Sequence, residues 1–156
     1  DQNWAGTLAD QKYQRCGTLQ MSEKKGVLTS IDHIVLTACV MDQTISFYRD
    51  ILGMELKSLA PTDGGEKRWF LKFGDCKINL HDEKSPYNPH AKNPISGAVD
   101  ICFLSSTPIE TWEKIFLKNN IKIETGPVQK TGAIGPIISL YIRDPDKNLI
   151  EIANNI

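Results

Sequence analysis

The sequence predicts an α+β fold of two repeated βαβββ modules that form a curved mixed sheet around a concave pocket. Three observations carry that expectation. A largely apolar strand with a polar residue at the matching place opens each copy: Ile31-Asp32-His33-Ile34-Val35-Leu36 in the first, Ala98-Val99-Asp100-Ile101-Cys102-Phe103 in the second. An amphipathic helix pattern and further strands follow each opening. Each copy also closes on a polar-punctuated strand, Lys77-Ile78-Asn79-Leu80-His81 or Asn148-Leu149-Ile150-Glu151-Ile152. His33 therefore corresponds to Asp100, and Asn79 to Glu151.

The elements follow in order. Residues 31–38 are rich in Ile, Val and Leu and read as a strand. Residues 41–52 place Ile45, Phe47, Tyr48, Ile51 and Leu52 at helical spacing, with Asp42 as N-cap and Gly53 just past the end. Strands are expected at 54–59, 68–73 and 76–81, separated by a turn cluster at 61–66 and by Gly74-Asp75. Pro86, Pro89 and Pro94 mark 83–97 as a linker, so the first module spans 30–82 and the second 98–156. The second copy repeats the order. A strand at 99–104 precedes a helix at 108–120 with Thr107 as N-cap and Pro108 in its first position. Ile109, Trp112, Ile115 and Phe116 form its apolar stripe. Strands at 121–124, 137–142 and 148–153 complete the copy, the last entered through the turn Asp144-Pro145-Asp146. Neither unit can close a core alone, so their sheets are expected to pair.

Composition narrows the function classes. A chain of 156 residues suits one well-buried domain or two small fused modules, and 40% hydrophobic residues suit a soluble protein. A net charge of −1 gives no electrostatic reason to expect nucleic acid or anionic membrane as partner. No stretch approaches the roughly 18 apolar residues of a membrane span. Cys16, Cys39, Cys76 and Cys102 are widely spaced, which argues against a zinc cluster and for a reduced, cytoplasmic protein. Cys76 and Cys102 read as small buried hydrophobes. Residues 1–29 read as a leader without the apolar region of a signal peptide. Met21-Ser22-Glu23-Lys24-Lys25 reads as a natural start, so what precedes it reads as vector-derived or an upstream extension.

The polar residues inside apolar strands carry the chemistry. Taken alone, His33 is as well explained as a core histidine with a partner, and Glu151 or Asp100 as an outward side chain on a half-exposed strand. Their repeat-related placement is what makes them a set. Burying Glu151 unpaired would cost several kcal/mol or force protonation. His33, Asp100 and Glu151, with His81 as a further candidate, are the expected metal ligands, and Glu151 is also the expected catalytic base. Imidazole and carboxylate with open positions suit Zn, Ni, Mn, Co or Fe as divalent ions. Such an ion polarises a carbonyl or stabilises an enediolate, while a carboxylate moves a proton. Asn79, Trp69, Tyr141 and Arg143 are the substrate-binding candidates. No nucleophile elbow is present. The glycines of Thr131-Gly132-Ala133-Ile134-Gly135-Pro136 do not lead from a strand into a helix, so they suggest a mobile loop over the pocket rather than a phosphate loop.

Three segments resemble the vicinal oxygen chelate superfamily of glyoxalase I, bleomycin and fosfomycin resistance proteins, methylmalonyl-CoA epimerase and extradiol dioxygenases. They are Ile31 to Leu36, Phe47-Tyr48 through Leu52-Gly53-Met54, and Arg143-Asp144-Pro145-Asp146 leading to Leu149-Ile150-Glu151. Lys77 to His81 and Thr131 to Pro136 are similar to the glyoxalase-domain-containing protein 5 group, whose bacterial relatives include virulence-associated proteins. The resemblance runs from Ser30 to the C-terminus. It implies metal positions at His33 and Glu151, with Asp100 where many members have a second histidine and Asn79 where glyoxalase I has a glutamate. It further implies a homodimer with sites built from modules of two chains, and a lactoylglutathione lyase-like lyase or isomerase acting through two vicinal oxygens. A small-molecule (antibiotic-type) binding protein and an extradiol-type dioxygenase are the alternatives it leaves open.

Overall fold

The strand patterns of the two copies fold into two sheets of four strands with the same internal order. In this computed structural model residues 25–62 and 64–156 are described, and Ile31–Ile156 form one compact unit. The expectations for the leader fall, up to residue 24, outside the described residues. The first module is β1 (His33–Ala38), α1 (Met41–Ser46), β2 (Glu55–Leu59), β3 (Arg68–Phe73) and β4 (Cys76–Asp82). The second is β5 (Asp100–Leu104), α2 (Ile109–Lys118), β6 (Thr125–Thr131), β7 (Pro136–Arg143) and β8 (Leu149–Asn155). Sheet orders are β1-β4-β3-β2 and β5-β8-β7-β6. The first and last strands of each module run parallel, and the other neighbours are antiparallel.

The two sheets do not pair with each other as expected; the strands of each named sheet belong to one module. The modules join by packing. Alternation along each strand sends Leu36, Leu71, Ile78 and Leu80 of the first sheet, and Phe103, Leu140, Ile142, Ile150 and Ile152 of the second, into one shared apolar core. Phe73 meets Phe103 edge to face at 5.2 Å across that boundary. The intervening residues of each strand face the other way, and they include the candidate site.

A polar latch reinforces the boundary. The turn between β7 and β8 carries Asp144, only 2% exposed, which accepts hydrogen bonds from the Tyr48 hydroxyl (2.9 Å) and from the Asn148 backbone and side-chain amides (2.9 and 2.8 Å). Asn148 in turn accepts from the Val99 backbone at 2.8 Å. Two residues on, the Asp146 carboxylate accepts from the Cys39 backbone and the Thr44 hydroxyl at the start of α1. A residue of the second module thus ties down the chain where it enters the first helix. Asp42, expected as the N-cap, lies inside the first turn, and Val40 at the cap position offers no side-chain bond.

Burial, and then the neighbouring Asp144 charge, push the Tyr48 ionisation upward from its ordinary 10.0. The folded chain therefore holds that proton more tightly than the unfolded chain. The stability it contributes is complete below about pH 10 and declines as pH rises above it, by about 1.4 kcal/mol per pH unit. Tyr48→Phe is expected to lower stability at neutral pH by roughly 1–3 kcal/mol and to flatten the alkaline decline. Urea unfolding of both proteins on either side of pH 10 checks this.

Three further elements depart from the sequence expectation. The first helix continues past Ser46 as a wider turn over Phe47–Ile51, with Leu52 N–H bonded to the Phe47 carbonyl (3.2 Å), before Gly53 ends it at φ 75°. In α2, Pro108 occupies the cap position and Thr107 makes no side-chain cap. Residues 121–124 form no strand: Ile121 and Ile123 pack on the core, and only Glu124 N–H reaches β7, at the Tyr141 carbonyl (2.7 Å), just before the strand starts at Thr125. β6 tolerates Gly126-Pro127 because it is an edge strand with an irregular register between Thr125 and Val128. Gly126 is required there, since a Cβ would lie 2.3 Å from the Ser139 carbonyl.

Candidate functional site

On the first sheet, register partners fix which side chains stand side by side. His33 pairs with Lys77, which pairs with Lys72, which pairs with Glu55. The next row on that face is Val35, Asn79, Phe70 and Lys57. His33 is half-exposed, and its Nδ1 lies 2.6 Å from Asp32 Oδ1. The imidazole holds the Asp32 carboxyl below its ordinary range. A carboxylate acceptor beside Nδ1 favours the proton there and leaves the Nε2 lone pair outward, as a metal ligand requires.

The second sheet repeats the arrangement. Asp100 pairs with Leu149, and one row on Cys102 pairs with Glu151, which pairs with Tyr141. Asp100 thus stands where His33 does, and Glu151 where Asn79 does. Glu151 Oε1 is buried and has no hydrogen-bond partner. Burial and then the Glu151 carboxylate raise the Cys102 thiol to about 11 and the Tyr141 hydroxyl to about 12. Glu151 therefore has protonated neighbours and one oxygen without a partner. A buried oxygen in that state is costly until a proton or a cation joins it. Imidazole, carboxylate and amide oxygen are a donor set that divalent metals accept, so these residues fit such an ion.

A cavity of about 540 Å³ opens on this second face, lined by Cys102, Leu104, Ile134, Ile137, Tyr141 and Glu151 among others. The glycine loop forms its wall as the β6–β7 hairpin, closed by a 2.8 Å bond from Gly132 N–H to the Gly135 carbonyl. Cys102 is exposed here rather than a buried hydrophobe, because it shares the open face with Asp100. Sequence reasoning missed Cys102, Leu104 and Ile137 as lining residues. Period-two alternation from Asp100 or Glu151 contained the signal for the first two.

Other candidates lie apart from this row. Trp69 alternates with Phe70 and packs on the core side of β3, lining a separate cavity with Met41 and Leu80. Arg143 is clamped in two bonds by Glu124 (2.8 and 2.9 Å) and lines a different cavity with Phe47 and Asp144. His81 pairs with Thr37, four residues along β4 from the partner of His33, or roughly 13 Å along the strand. The two histidines therefore stand at opposite ends of one face. Among the described residues, no three His, Cys, Asp or Glu side chains of one chain converge as a metal group. The half-sites lie on faces turned away from the shared core.

Two curved-sheet modules of this order, with polar residues repeated on their open faces, define a glyoxalase-type fold. The chain belongs to the Glyoxalase/Bleomycin resistance protein/Dioxygenase superfamily, whose family pattern it matches over residues 30–152. It is 41% identical over 146 residues to the virulence protein STM3117 of Salmonella typhimurium, covering 94% of each chain. The crystal structure of that protein superimposes with a TM-score of 0.76 over 84% of this chain and 100% of that one. The glyoxalase domain-containing protein RDO1 of Mycosarcoma maydis is 40% identical over 86% of this chain and 73% of its own length. A lactoylglutathione lyase from Agrobacterium tumefaciens gives a TM-score of 0.61 at 25% identity, over 82% of this chain and 95% of that one. Members of the superfamily bind small molecules and commonly use divalent metals. No helix among the described residues is long and apolar enough to cross a membrane.

Proposed function

We propose that the protein is a divalent-metal-dependent lyase or isomerase of the glyoxalase type, acting on a small substrate through two vicinal oxygens. The observation that carries this reading is the unpartnered buried oxygen of Glu151 beside the repeat-related Asp100, matched by His33 and Asn79 on the other module. Since the modules of one chain turn these half-sites away from their common core, the site is completed in a homodimer. His33 and Asn79 of one chain then meet Asp100 and Glu151 of the other.

Bound there, the ion would polarise a substrate carbonyl and stabilise the negative charge that follows loss of a proton from the adjacent carbon. Glu151 is the group placed to move that proton, because one of its oxygens is unengaged and its Cys102 and Tyr141 neighbours stay protonated at neutral pH. Leu104, Ile134 and Ile137 give the cavity beside it an apolar wall. An amide at Asn79, where glyoxalase I has a carboxylate, would leave the site less negative and so favour an anionic substrate there.

Metal analysis of the purified protein, followed by turnover of the methylglyoxal–glutathione hemithioacetal with and without chelator, tests this. Bound divalent metal and chelator-sensitive turnover are expected, and His33→Ala should abolish both. Metal-free protein that binds a small ligand indifferently to chelator would instead support a sequestering protein. Oxygen consumption on catechols would support a dioxygenase.

A further inference from the structure

The remote end of the first face holds a second polar group that the metal reading does not use. His81 is only 7% exposed, and its Nδ1 is buried without a hydrogen-bond partner. By alternation on β4 it points to the same face as Asn79. The linker folds back so that the Tyr87 ring meets the His81 ring edge-on at 5.3 Å. The Arg68 guanidinium lies over that tyrosine at 4.6 Å, and the Tyr87 hydroxyl is tied to the Lys67 carbonyl at 3.3 Å. Arg68 is exposed, and no ion pair ties it to a carboxylate among those formed by the described residues.

The surroundings of His81 are cationic. Burial lowers its proton affinity first, and His90 and Arg68 lower it further, with no acid opposing them. Asp82, next in sequence, alternates to the other face and its Oδ1 accepts from the Lys84 backbone at 2.8 Å. A buried imidazole lacking a partner, set beside a guanidinium with five donors, is the complement of an oxyanion. The equivalent places in the second module are held by Ala153 and, beside it on β7, Ser139, so neither the imidazole nor the guanidinium is repeated there.

We propose that His81 and Arg68 anchor an oxyanion, a carboxylate or phosphate, carried by the substrate. The inference rests on the metal-site reading only for the identity of the rest of the substrate. His81 lies two residues from Asn79, so the acid group sits about 7 Å along the strand from the vicinal oxygens. The substrate therefore carries a carboxylate or phosphate group, and Tyr87 fixes the ring that receives it.

The test uses chelator-treated full-length protein and the imidazole NMR signals of its histidines. Inorganic phosphate and acetate are titrated separately, and the more effective one identifies the acid type. The His81 resonances are expected to shift saturably with at least one of them, and Arg68→Gln to weaken that response about tenfold, the loss of one charge-assisted hydrogen bond. Arg68→Lys should retain part of it, and Lys122→Gln, in the cavity with Phe47 and Asp144, should leave it unchanged. If the His81 signals stay still, or shift equally in Arg68→Gln, the anchor does not exist. Because metal is absent from the titration, failure of metal retention elsewhere leaves this result standing, and failure here leaves the metal reading standing.

Discussion

Glu151→Gln is expected to lower divalent-metal affinity by about 100-fold or more, since even outer-shell substitutions commonly cost 10–100-fold. Turnover should fall with it, because the same oxygen that would bind metal or carry the proton becomes part of a neutral amide. The change is nearly isosteric and removes a buried carboxylate, so thermal stability should hold or rise. His33→Ala should lose metal through the other half-site. A homodimer with shared sites makes a sharper demand. A mixed dimer of the two variants contains one doubly damaged site and one intact site, because His33 and Glu151 of an intact site come from different chains. Refolding an equal mixture should therefore restore about a quarter of the wild-type metal capacity, since about half of the dimers are mixed and each holds one intact site of two. Two individually inactive proteins that regain metal and turnover only when refolded together would place the site between chains. No recovery from a folded, dimeric mixture would place both ligands in one chain and overturn the shared site.

Much of this arrangement is legible in the sequence because its signals are local and repeat. The βαβββ order of each module and the equivalence of His33 with Asp100 and of Asn79 with Glu151 follow from period-two alternation and the internal repeat, and the register agrees. Long-range contacts escape such reading. Asp42 looks like the cap of α1, but the carboxylate that meets the chain entering that helix is Asp146, 107 positions from Cys39. Residues 121–124 look like a strand, yet their isoleucines serve the core while the glycine- and proline-bearing edge makes the strand instead. Trp69 reads as a pocket side chain, but register sends its neighbour Phe70 to the open face. His81 reads as a fourth ligand only while its distance from His33 along the sheet is unknown. Polarity shows which residues are unusual for their strands; only register and the partner elements show which of them meet.

The buried latch gives the second large effect, this time on stability. Asp144→Ala would leave the Tyr48 hydroxyl and the Asn148 backbone and side-chain donors without their acceptor in a site 2% exposed. Removing one member of a buried charged network in this way costs roughly 3–5 kcal/mol. For a domain of this size that corresponds to a fall in Tm of about 10–15 °C. Asp144→Asn should cost less, because the amide oxygen still accepts one bond while its NH₂ opposes the donors around it. The double variant Tyr48→Phe with Asp144→Ala should be less destabilised than the sum of the two single changes, as residues in one network do not act additively. Thermal unfolding of the four proteins measures this coupling. The latch also ties α1, which follows the strand bearing His33, to the turn that leads into the strand bearing Glu151. Its loss should therefore weaken metal retention through module alignment as well as stability, although Asp144 lies on neither half-site face. A variant that lost stability while retaining wild-type metal affinity at low temperature would show that the latch holds the fold without setting the site.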